Sequence, residues 1–111
     1  MLRESSLASN TPHDLMAVTD RRVDPLIPAG AALLDLADAA RNGTADELTA
    51  ARVSVAAQLG HEALVDAAAV FATFEMMNRV ADGTGIRVGR GRLAATADIR
   101  AAAGLDSLRH D

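Results

Sequence analysis

His61 to Asp82 reads HEALVDAAAVFATFEMMNRVAD, and the fold turns on this stretch. It is long enough for about six helical turns. Its first three turns are apolar on nearly every side, and a helix of that kind must be covered by neighbours from several directions. The segment therefore predicts the long central apolar helix of an all-α fold. Its last two turns gather Glu75, Asn78, Arg79 and Asp82 onto one stripe. Polar groups entering a buried helix need partners there, because unpaired buried polar atoms are expensive.

Working outward, the preceding segment from Ala45 to Leu59 is a second helix. Thr44-Ala45-Asp46-Glu47 forms a capping-box sequence, with Thr44 bonding forward and Glu47 bonding back. Its apolar positions are Leu48, Ala51, Val55 and Leu59, and Gly60 ends it. Before it, Ala29 to Asn42 places Leu33, Leu36, Ala37 and Ala40 on one face and Asp35, Asp38 and Arg41 on the other. Gly43 is expected to stop that helix as a left-handed residue, and the tight Gly43-Thr44 corner favours an antiparallel hairpin. The long helix is expected to stop at Gly83, with residues 84–91 as an exposed glycine-rich loop. A final helix runs from about Leu93 to Ala103, with Gly104 and Leu105 placed for a C-terminal cap. At the other end, Thr11-Pro12-His13-Asp14 looks like a helix start, with Thr11 as cap and Pro12 in the first turn. That helix is short, because Asp24-Pro25 and Pro28 interrupt it. The expected architecture is a compact bundle of about four to five helices. Residues 1–11 form a disordered polar tail and residues 12–111 a single all-α domain.

Composition narrows what such a domain does. At 111 residues with half of them apolar but only Phe71 and Phe74 aromatic, the core is thin and rich in small side chains. A self-associating surface is the natural supplement to that core. The formal charge of −4 argues against nucleic acid, whose phosphates need a basic surface. No run approaches the roughly 18 apolar residues of a membrane span. The N-terminus lacks the apolar region of a secretory signal, which makes the cytoplasm the default location. With no cysteine there is no disulfide, thiolate metal site or thiol redox chemistry.

Candidate chemistry is confined to the polar stripe. Glu75 and Arg79 are four apart in the favourable order, Glu N-terminal to Arg, while Asn78 and Asp82 flank them. A buried Glu beside an Arg and an Asn could move a proton or hold a small anion; a structural ion pair ordering the helix end is the plainer alternative. The histidines His13, His61 and His110 have no partners at metal-ligand spacing, so no metal or other cofactor is expected. The run Gly85-Ile86-Arg87-Val88-Gly89-Arg90-Gly91-Arg92 lacks the ending of a phosphate loop and has no strand before it. Met76 and Met77 read as adaptable core or interface filler.

The stretch from Val70 to Ile86, with Asn78-Arg79 near the helix end and Gly85-Ile86 in the turn, resembles the distal helix of the carboxymuconolactone decarboxylase and alkylhydroperoxidase-D-like proteins. Ala32 to Ala40, Ala45-Asp46-Glu47-Leu48 and Leu64-Val65-Asp66 extend the resemblance over roughly residues 29–88. Active members of that family carry a Cys-x-x-Cys pair with a nearby Glu and His upstream of the matched region. Here a short polar N-terminus stands in their place, so no catalytic residue of the family maps onto this chain. Thiol peroxidase activity is excluded with the cysteines. The resemblance implies an oligomeric, non-enzymatic helical half-domain acting as an interaction or accessory subunit, beside itself or another protein. The alternatives are a cofactor-free, lyase-like enzyme with Glu75 as base and Arg79 as anion holder, or a small-ligand binder, each with a subunit-interface pocket around those residues.

Overall fold

The computed structural model describes Ala8, Asn10 and residues 12–108. Among these there is no strand. Five α-helices occur: α1 (Gly30–Asn42), α2 (Ala45–Leu59), α3 (His61–Thr84), α4 (Arg90–Ala95) and α5 (Ala97–Ala102), with 3₁₀ turns at Leu15–Val18 and Leu105–Leu108. The expected all-α class is what is found. The tail of residues 1–11 (Ala8 and Asn10 apart), the Thr11 cap and His110 lie outside the described residues. The chain divides into two compact units, residues 32–89 and residues 1–31 with 90–111.

The central unit is built from α1, α2 and α3. Thr44 caps α2 as its sequence demands: Thr44 Oγ1 accepts from the Glu47 N–H at 3.2 Å, and Glu47 Oε2 accepts from the Thr44 N–H at 2.7 Å. Gly43 ends α1 for a different reason from the one expected. It is not left-handed; instead a Cβ there would lie 2.6 Å from Ala39 Cα, so only glycine lets the chain turn this closely against the last helical turn. Gly60 alone joins α2 to α3, at φ 91 and ψ 165, a region open essentially to glycine only. The chain folds back there, because Arg41, just before the α1–α2 corner, reaches Glu75 in the fourth turn of α3. Residues 61–75 therefore run alongside α2, and residues 76–84 continue past the corner for roughly 13 Å.

Burial follows the helix faces only in part. Val55 and Ala51 on α2 and Leu36 and Ala32 on α1 are buried, whereas Leu48 and Leu33 are half-covered and Leu59 and Ala40 are exposed. The long helix departs most from expectation, since none of its residues is buried within the chain. Ala63, Leu64, Ala67, Phe71, Glu75 and Ala81 are half-covered, and the rest of its apolar side chains stand in the open. Two neighbouring helices cover one side of α3 and leave the other sides bare, so it is not a central buried rod in the single chain. Its end is also two residues later than Gly83. Gly85 adopts φ 69, its N–H bonds the Asp82 carbonyl at 3.3 Å, and Ile86 N–H bonds the Ala81 carbonyl at 3.0 Å. That pair of bonds is a complete Schellman cap.

The second unit rests on side chain to backbone bonds. Asp14 caps the Leu15–Val18 turn by accepting from Met16 N–H at 2.9 Å, and Ala17 within that turn is buried. Thr19 Oγ1 donates to the buried Ala103 carbonyl at 2.7 Å, tying two segments far apart in sequence. The single helix expected over residues 93–103 is divided at Thr96 into α4 and α5. Arg100 spans the division, donating to Thr96 Oγ1 at 2.8 Å, to Asp106 Oδ1 at 2.9 Å and to the Leu93 carbonyl.

Candidate functional site

Three features of the central unit that could carry a function involve α3. The first is the polar stripe. Glu75 is brought between two arginines: Arg79 Nη2 lies 3.9 Å from Oε2 and Arg41 Nε lies 4.0 Å from Oε1. The Glu75 side chain is 22% exposed, while those of Arg41 and Arg79 are largely in solvent. Pairs of this length and exposure contribute about 0–1 kcal/mol each. Asn78 and Asp82, which complete the stripe in sequence, are exposed and make no side-chain hydrogen bond among the described residues. The structure thus joins Glu75 and Arg79, adds Arg41, and leaves Asn78 and Asp82 apart from them. Arg41 was not singled out from the sequence as a partner of Glu75. Its signal was position, since a residue just before a tight corner is carried to whatever lies beside that corner.

The second feature is an apolar groove of about 610 Å³ between α1 and α3, with α2 at its base. Leu33, Leu36, Leu48, Leu64 and Phe71 supply its larger side chains, and alanines fill the intervals. The small side chains leave the space between the walls unfilled. Arg52 is the one charged side chain lining the groove, and it has no ion pair or hydrogen-bonded side-chain partner among the described residues. On the opposite side of the α1–α2 hairpin, Asp35, Asp38, Asn42 and Glu47 edge a polar depression. The carboxyl of Glu47 is held below its ordinary range, first by the Thr44 backbone N–H and then by the Thr44 side chain. Among the described residues no three His, Cys, Asp or Glu side chains converge on a possible metal position.

Beyond the polar stripe, the remaining faces of distal α3 are apolar and open. Val70, Phe74 and Met77 follow one another at intervals of four and three residues, with Val80 three further on. They are 58%, 52%, 48% and 57% exposed. Met76 and, beyond the cap, Ile86 and Val88 are exposed as well. Among the described residues no helix is long and apolar enough to cross a membrane. Compared with known proteins, the chain matches no family model, no curated protein and no solved structure.

Proposed function

We propose that this chain is a non-enzymatic helical subunit that associates with copies of itself through the distal half of α3, acting as an interaction or accessory module. The observation that carries the reading is the open seam of Val70, Phe74, Met77 and Val80, each about half exposed or more. The four-and-three spacing is that of helices packing along a common seam. A seam on one helix can meet its own copy across a two-fold axis, the commonest symmetry of soluble oligomers. The thin core favours the same conclusion, because its fully covered residues are mostly alanine and oligomerisation supplies the burial that such a core lacks. The similarity of residues 29–88 to a cysteine-free half of the alkylhydroperoxidase-D-like fold is part of the proposal and agrees with it.

Support for a non-enzymatic role comes from Glu75. Its neighbours are two arginines at the outer limit of ion pairing, an arrangement suited to holding the end of α1 against α3. Sedimentation velocity tests the proposal. Wild type should sediment as a dimer or larger species in the micromolar range, and Met77→Glu should move it towards monomer while circular dichroism shows unchanged helix content. A wild-type monomer throughout that range would overturn it.

A further inference from the structure

We infer that the groove between α1 and α3 binds a medium-chain aliphatic carboxylate, with the acyl chain among Leu33, Leu36, Leu64 and Phe71 and the carboxylate on the Arg52 guanidinium. The groove lies within the volume range of small-molecule sites, about 300–1,000 Å³, and its walls are apolar apart from Arg52. Its length follows from the helices that form it. Leu33 to Ala40 on α1 and Leu64 to Phe71 on α3 each cover eight residues, seven helical steps or roughly 10 Å. An extended aliphatic chain of medium length fits that span, and a strongly polar ligand would leave its hydrogen-bonding groups without partners there.

The charge pattern decides which end group the ligand carries. The protein is acidic overall, with formal charge −4, and the neighbouring depression is edged by Asp35, Asp38 and Glu47. Yet no carboxylate lines the apolar groove, and the guanidinium at its wall is unpaired among the described residues. A cationic ligand would meet Arg52 unfavourably, and a neutral one would leave it unused. A carboxylate gains the two parallel hydrogen bonds that guanidinium makes with it. Of the seam residues only Val70 lines this groove; Phe74, Met77 and Val80 do not.

Isothermal titration calorimetry of the full chain with decanoate and decanol, below their aggregation limits, tests the inference. Decanoate is expected to bind saturably at one site per chain. Arg52→Gln should weaken decanoate about tenfold and leave decanol unchanged. Ala40→Phe, which adds a ring at an exposed groove position, should abolish binding of both. Absence of saturable decanoate binding, or equal decanoate affinity in wild type and Arg52→Gln, would overturn it. Arg52 is exposed and forms no part of the core, so Arg52→Gln keeps the test decisive even if Ala40→Phe fails to fold. Because Met77→Glu leaves the groove untouched, decanoate binding by that variant separates failure of the groove from failure of self-association.

Discussion

Truncating Val55 to alanine should be the costliest single change of its size in this protein. Val55 is 0% exposed and is the largest fully buried side chain among the described residues. Removing two buried carbons forfeits roughly 1.6 kcal/mol, at about 0.8 kcal/mol for each. Incomplete collapse around the space adds about 1 kcal/mol. The expected loss is therefore about 2–3 kcal/mol, against a total of order 5–15 kcal/mol for a domain of ordinary stability. At roughly 4–8 °C per kcal/mol for a small domain, the melting temperature should fall by at least about 8 °C. Val53 supplies the control, being on the same helix, two residues away and 65% exposed. Val53→Ala should lie within about 0.5 kcal/mol of wild type, helped by the better helix propensity of alanine. Urea titrations followed by far-ultraviolet circular dichroism, all at one protein concentration, give both values, with the m-value unchanged. Equal losses for the two variants, or a loss below about 0.5 kcal/mol for Val55→Ala, would refute the orientation of α2 and with it the packing of the central unit.

Other expectations can be checked with the same titrations. Gly83 lies inside α3 with open space around it, whereas Gly85 holds φ 69 at the cap. Gly83→Ala should stabilise by about 0.5–1 kcal/mol, while Gly85→Ala should destabilise by about 1 kcal/mol; the reverse order would move the helix end back to Gly83. Thr44→Ala should cost about 1 kcal/mol through loss of its cap bond, and no loss would mean that the capping box is not formed in solution. Glu47 has a folded-state pKa below its ordinary value of 4.5, so its stabilisation is complete above that value and is lost as pH falls through the lower, folded one. Wild type should accordingly be more stable than Glu47→Gln at pH 7, with the gap closing towards pH 3; a gap independent of pH would contradict that linkage. Glu75→Gln should cost less than about 1 kcal/mol and leave the sedimentation profile unchanged, whereas a loss above about 2 kcal/mol would show a buried charge with a larger role.

What was legible in the sequence is what depends on neighbours along the chain. The Thr44–Glu47 capping box and the single-glycine turn at Gly60 are local chemistry at fixed offsets, and they read out directly. Where two candidates compete, offset alone is insufficient. Gly83 and Gly85 both suit a helix end, and the choice falls to Gly85 because Ile86 can then reach the Ala81 carbonyl. Gly43 was recognised as a stop but with the wrong cause, since closeness to Ala39 is a property of the folded corner. The division at Thr96 depends on the Arg100 contacts as much as on local propensity. The polar stripe is legible as a set of residues, but the third member of the ion-paired cluster around Glu75, Arg41, belongs to another helix and is placed by the corner. Burial of α3 is the largest departure, since none of its residues is buried within the single chain. Hydrophobicity states that a face is to be covered and is silent on whether the cover comes from the same chain.

That silence bears on how the seam and the groove act together. Val70 belongs to both, lining the groove and opening the seam that continues through Phe74, Met77 and Val80. A side chain shared by two binding surfaces can favour one rotamer for a ligand and the same or another for a partner. If the rotamers agree, decanoate strengthens self-association; if they conflict, it weakens it. Linkage is reciprocal: with one site per chain, the association constant of a fully liganded dimer must change by the square of the factor by which decanoate affinity differs between monomer and dimer. A coupling that disappears in Val70→Ala, with both binding events retained, would locate it in that side chain. Coupling that persists unchanged would place it in the helices, where a ligand between α1 and α3 would shift the angle at which α3 meets the proposed second copy.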